Sequence, residues 1–161
     1  MTDFFRILHV LGGVVLIGEL LFSGLWLARA LARGDAGLRG YVLATMAWTS
    51  KSWALPAILI NLVAGLALLH FRHTPLAHAL WLWIAVVLYV VVTGLWHGVL
   101  IPRRKKMAAR FGEPEKGAAA AAGGGDAAEF EAMAKGWLGV NAVTVALLFV
   151  ILALMVWRPM M

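Results

Sequence analysis

FFRILHVLGGVVLIGELLFSGLWLARA, residues 4–30, decides the fold. It exceeds the roughly 20 mostly apolar residues that an α-helix needs to cross a hydrocarbon core. It is also too long for the apolar part of a cleaved leader and runs past any small-residue cleavage site, so it is expected to remain as the first helix. Three further apolar runs follow, at about 45–71, 76–101 and 133–157, each of spanning length. The chain is 63% hydrophobic and 14% charged, with a mean hydropathy of +0.87. Soluble domains carry about 45–50% apolar and about 25% charged residues. The expected fold is therefore all-α: an integral membrane bundle of four antiparallel helices.

The charges orient that bundle. Arg29, Arg33 and Arg39 lie between the first two spans, and Arg103, Arg104, Lys105, Lys106, Arg110 and Lys116 between the last two. The other side offers only Arg6, Arg72 and Arg158. The positive-inside rule puts both basic loops in the cytoplasm and both termini outside it, a multi-pass topology expected for a bacterial inner membrane. The sequence pI near 10.3 thus comes from two loops and does not indicate nucleic-acid binding. Cysteine is absent, which excludes disulfides, iron–sulfur clusters and thiolate-ligated haem. Residues 112–126, with an alanine run and Gly123-Gly124-Gly125, read as a flexible cytoplasmic linker. Pro56 falls inside the second span and cannot donate to the carbonyl one turn earlier, so a kink is expected near Ser52. The short connection Arg72-His73-Thr74-Pro75 makes helices two and three antiparallel neighbours.

Four ionisable residues sit inside the spans away from their ends: His9, Glu19, Lys51 and His97. Such groups are costly in hydrocarbon and usually face a bundle interior or mark a site. At about 1.5 Å of rise per residue, Glu19 lies about 15 Å and Lys51 about 9 Å from the cytoplasmic ends of their spans. An unpaired charge costs at least about 2.5–3.5 kcal/mol there, so Glu19 is expected to pair with Lys51 or to be protonated. His97 and Asn141, with Thr45, Thr49, Ser50 and Ser52, complete an expected polar cluster in the cytoplasmic half. It serves either as packing that holds four helices in register or as a proton path or binding pocket.

The other half is richer in imidazole. His9 lies about 8 Å into helix one, His70 ends helix two, and His73 and His78 flank the external turn. Haem b in a membrane bundle needs neutral imidazoles facing each other at similar depth. His9 with His70 meets that requirement; His9 with His97 does not. His97 is then a second-site ligand, a quinone hydrogen-bond partner or a packed histidine. A divalent metal site at the outer histidines lacks carboxylates apart from Asp3, and no metal is expected.

The order of several landmarks resembles a known family. Leu8-His9-Val10-Leu11-Gly12 stands near the start, Pro56 and Gly65 in helix two, Gly94-Leu95-Trp96-His97 before Pro102 and a basic run, and Leu154-Met155-Val156-Trp157-Arg158-Pro159 at the end. Together they resemble domain-of-unknown-function family 2269, four-helix bacterial membrane proteins, across nearly the whole chain. More distantly the chain is similar to the HemJ-type protoporphyrinogen oxidases and the CopD copper-resistance proteins. The HemJ-type resemblance implies b-haem binding by a first-helix histidine, here His9, and makes His97 a family-like position. It departs where those proteins carry a lysine early in helix three, near Trp83-Ile84, and where their Trp-Met-Ala-Gly step reads Leu16-Ile17-Gly18-Glu19. Protoporphyrinogen oxidation therefore does not carry over.

The leading expectation is a b-haem redox protein exchanging electrons with a quinone or a redox protein partner. His9, His70 and His97 are the cofactor-binding candidates, with Glu19 and Lys51 tuning charge. The alternatives are a small metal-tolerance or transport protein and a non-catalytic subunit or assembly factor. The glycines of helix one (Gly12, Gly13, Gly18, Gly24) offer a close-packing face for helices, a flat ligand or a homodimer.

Overall fold

A computed structural model describes residues 2–72, 80–112 and 125–157. The elements are α1 (Thr2–Arg33), α2 (Ala36–Thr49), a first π-helical segment (Ser50–Ala54), α3 (Leu55–Arg72), α4 (Leu80–Leu95), a second π-helical segment (Trp96–Leu100), α5 (Ile101–Phe111) and α6 (Gly125–Trp157). Four continuous stretches, Thr2–Arg33, Ala36–Phe71, Leu80–Phe111 and Ala127–Val156, are long and apolar enough to cross a membrane. The chain is an all-α, multi-pass membrane bundle. Its helices overrun the expected spans where the basic residues lie. Arg103 to Arg110 belong to α5 rather than to a loop, and helix two starts at Ala36 rather than near Thr45.

A two-residue turn joins α1 to α2. Gly34 takes φ +68°, a left-handed conformation that strains residues with a side chain. Its N–H bonds the Ala30 carbonyl at 3.2 Å. Asp35 then caps α2, its Oδ1 accepting from the N–H groups of Gly37 (2.8 Å) and Leu38 (3.2 Å). This turn fixes α1 and α2 as an antiparallel pair. α1 also packs along α3 and α6, α6 along α4, and α2 along α5. At the α2–α5 contact, Gly40 sits so close to Gly112 that an added Cβ would come 3.0 Å from its carbonyl oxygen. Among the described residues α3 and α4 make no close backbone approach; the Tyr89 hydroxyl instead reaches the Ile58 carbonyl at 3.1 Å. Helices two and three thus meet closely only at the end carrying the basic residues, the basic end.

The expected break at Pro56 takes a definite form. Pro56 has no N–H to offer Ser52, and the Leu55 N–H bonds the Ser50 carbonyl five residues back. The same pattern recurs at Pro102, where the Ile101 N–H bonds the Trp96 carbonyl. Each π turn ends two residues before a proline, in the sequences SKSWALP and WHGVLIP. Such turns occur mostly as isolated bulges and frequently at functional sites. The core runs from Phe130, Phe111, Met107 and Leu27 at the basic end, past Met46, Leu20 and Leu16 at mid-bundle, to Ala85, Leu148 and Ile151 beyond. The Phe111 and Phe130 rings meet edge-on at 5.2 Å, with the Arg39 guanidinium 4.7 Å over Phe130.

Candidate functional site: a buried carboxylate in a lateral cleft

Near the middle of α1, Glu19 is only 8% exposed. Its Oε1 accepts three hydroxyl bonds: from Ser23 Oγ, one turn on, at 3.0 Å; from Thr49 Oγ1 at 3.2 Å; and from Ser50 Oγ at 3.1 Å. Its Oε2 is buried without a partner. Ser50 also accepts from Arg104 Nη1, which donates to the Met46 carbonyl at 2.7 Å as well. One serine hydroxyl therefore links the carboxylate of α1 to a buried guanidinium of α5.

Lys51 is not part of this arrangement. It is exposed, and no Glu19–Lys51 ion pair is found among the described residues. Consecutive residues on a helix are turned by about 100°, so seating Ser50 against Glu19 carries Lys51 off the core. The positive charge comes from Arg104, which the sequence places among the loop basics. A clue was present: Arg104 follows Pro102 by two residues, and an apolar helix continuing past a proline can turn one basic residue inward. Ser52 is likewise exposed, and so is His97, whose Nδ1 donates to the Thr93 carbonyl one turn back at 3.1 Å. The His97 ring lies edge-on to Trp96 at 4.8 Å. Asn141 is buried but donates from Nδ2 to the Leu20 carbonyl at 3.1 Å, leaving its Oδ1 unpartnered. The expected polar cluster is thus narrower than the sequence suggested: Glu19, Ser23, Thr49, Ser50 and Arg104.

Glu19 also lines a cleft of about 370 Å³ formed by α1, α2 and the first π segment. Phe22, Trp26 and Trp53, all exposed on the flank of the bundle, wall it, while Ser23, Thr45 and Thr49 supply hydroxyls. Gly18 opens it, with nothing within 4 Å of where a Cβ would stand. The cleft thus opens on the flank of the bundle and not at either end. A second cleft of about 240 Å³, lined by residues such as Phe5, Leu8 and Ile60, is wholly apolar in its lining.

At the opposite end, which carries both chain termini, His9 is held closely. Its Nδ1 bonds the Asn61 carbonyl at 2.8 Å, and Asn61 Nδ2 returns a bond to the His9 carbonyl at 2.9 Å. Met155 Sδ lies 3.4 Å from Nε2. His70 is exposed, its ring edge-on to Phe71 at 5.3 Å. It lies five residues, roughly 7.5 Å, beyond Gly65, the α3 residue that touches the His9 ring. A Cβ at Gly65 would stand 3.1 Å from His9 Cε1, and one at Gly12 3.1 Å from the Ala57 carbonyl oxygen. These glycines are taken up by close helix contact and leave no flat cradle, and neither cleft includes His9. The residues present therefore do not fit a haem held between His9 and His70. His73 and His78 lie outside the described residues.

The fold and this site define a polytopic membrane protein with a buried carboxyl group near the middle of its first helix. Residues 3–159 match the family described as "Predicted integral membrane protein (DUF2269)", and the chain belongs to that family. No curated protein matches the chain. No solved structure matches it either.

Proposed function

We propose that this protein binds a lipophilic molecule entering sideways from the bilayer, and that the head of this ligand donates an O–H or N–H hydrogen bond to Glu19. The observation that carries the proposal is the half-satisfied carboxylate, with three hydroxyls on one oxygen and none on the other, which is buried, in a residue that lines an aromatic cleft. An ionised carboxylate only accepts hydrogen bonds, so it selects a ligand bearing a donor. Phe22, Trp26 and Trp53 would give a flat ring or an apolar tail the contact area that small-ligand sites rely on. A quinol meets this description, and a quinone, which carries only acceptors, would need Glu19 in its protonated form. The reading keeps the membrane-borne partner expected from the sequence and does not depend on a haem.

The test is calorimetric titration of the protein in nanodiscs with a short-chain ubiquinol and with the matching ubiquinone. Hydrogen bonds to a charged group contribute about 1.5–3 kcal/mol, a factor of roughly 10–150 in affinity. The reduced form should bind more tightly by a factor in that range at neutral pH, and Glu19→Gln should abolish the difference. Trp53→Leu should weaken both forms. Equal binding of both forms by the unaltered protein, or a preference that survives Glu19→Gln, overturns the proposal.

A further inference from the structure

His9 presents a problem of hydrogen placement whose solution points to a second site, made of residues other than those around Glu19. The Asn61 carbonyl, 2.8 Å from Nδ1, can only accept, so Nδ1 must carry a proton. In a neutral imidazole Nε2 then bears a lone pair. That lone pair faces Met155 Sδ at 3.4 Å, and thioether sulfur is itself an electron donor. Two lone-pair atoms are aimed at each other with no hydrogen between them. The two atoms satisfy nothing in each other, and an electron-pair acceptor shared between them would satisfy both.

We infer that His9 Nε2 and Met155 Sδ are the protein ligands of a soft monovalent metal ion of the Cu(I) type. Thioether sulfur with imidazole nitrogen is a donor set that selects soft ions. It is uncharged, which suits a single positive charge at membrane depth better than a divalent one. No group of three or more His, Cys, Asp or Glu side chains is placed to hold a metal ion among the described residues, which argues against a zinc-type centre. The nearest acid in sequence, Asp3, pairs instead with Arg6 at 3.2 Å. Bond lengths of about 2.0 Å to nitrogen and 2.3 Å to sulfur, as for zinc, span a 3.4 Å edge at an angle of about 105°. The two ligating atoms can therefore share one ion at their present separation.

The residues around His9 hold its ring as a ligating histidine is held. A metal-binding histidine almost always donates its other ring N–H to a carbonyl or carboxylate, which fixes tautomer and orientation. Here the Asn61 carbonyl does so, Asn61 Nδ2 clasps the His9 backbone in return, and Gly65 packs against the ring edge. α1, α3 and α6 each supply one part, so the ligands are oriented by the bundle itself.

The experiment titrates the full-length protein in nanodiscs with Ag(I), a redox-inert stand-in for Cu(I), and follows the histidine ring nitrogens by 15N NMR. One Ag(I) should bind per chain, shifting His9 Nε2 while Nδ1 stays protonated. Met155→Leu, which keeps the volume of the side chain, should weaken binding at least tenfold; Met133→Leu, on the same helix, should not. Three results overturn the inference: a His9 ring doubly protonated at neutral pH and indifferent to Ag(I); equal affinity in Met155→Leu; or binding lost only when His73 and His78 are both replaced. The NMR arm uses the unaltered protein, so it decides even where a variant folds poorly.

Discussion

Replacing Arg104 by methionine tests how the buried charge of Glu19 is balanced. The change removes the Nη1 bonds to the Met46 carbonyl and to Ser50 Oγ, and with them the guanidinium that Ser50 links to the Glu19 carboxyl group. Hydrogen bonds to charged groups contribute about 1.5–3 kcal/mol, and breaking a buried ion pair by removing one partner costs about 3–5 kcal/mol. Because Ser50 stands between the two charges here, the lower range applies, and a loss of about 2–3 kcal/mol is expected. At roughly 2–4 °C per kcal/mol for a chain of this size, Tm should fall by about 4–12 °C. Near-UV circular dichroism in detergent, reading eight tryptophans, follows the melt. Glu19→Gln on the Arg104→Met background should recover about 1 kcal/mol or more, the sign of coupling between the two sites. Lys51→Met should stay within about 0.5 kcal/mol, as exposed substitutions do. The reasoning is refuted if Lys51→Met destabilises as much as Arg104→Met, or if the effects of Arg104→Met and Glu19→Gln simply add.

Ser50→Ala, which removes the hydroxyl joining Arg104 to Glu19, should cost about 1–2 kcal/mol by the same melt and should weaken the quinol preference. Gly12→Ala should cost about 1–3 kcal/mol, because its Cβ would stand 3.1 Å from the Ala57 carbonyl oxygen and force α1 and α3 apart. Gly94→Ala, with nothing within 4 Å, should be neutral or raise stability by up to about 1 kcal/mol, and equal Tm losses at the two glycines would count against the packing described. Tyr89→Phe loses the bond to the Ile58 carbonyl; hydrogen bonds between membrane helices average about 0.6 kcal/mol, so a Tm shift of roughly 1–3 °C is expected.

The architecture was legible because it rests on long-range averages: four apolar runs and two basic connections need no knowledge of which side chain touches which. The candidate site was only half legible. Depth along a helix follows from counting, which correctly put Glu19, Thr49 and Ser50 in one layer. Angle around a helix depends on packing, and there the sequence misled: Lys51 has the right depth and the wrong face. Arg104 was hidden because a proline followed by basic residues reads as the end of a helix, whereas here the helix widens into a π turn and continues to Phe111. Met155 was hidden for another reason. A methionine in a leucine-rich span looks like core filling, and only its approach to one ring nitrogen sets it apart.

The π turn at Ser50–Ala54 has a further consequence, for the numbering of helix two. A bulge of this kind is one residue more than a regular helix needs. The bulge absorbs that residue locally, so the turns on either side keep the facing of an unbroken α-helix. One more residue between Ala54 and Asn61, carried by regular α-helix, would swing everything beyond it by about 100°. Asn61 would leave the face of α3 that meets α1, and His9 would lose the partner that fixes its tautomer. The two ends of the molecule therefore share one angular setting, so an insertion or deletion tolerated by the carboxylate layer would still be felt at the imidazole some 15 Å away along the helix.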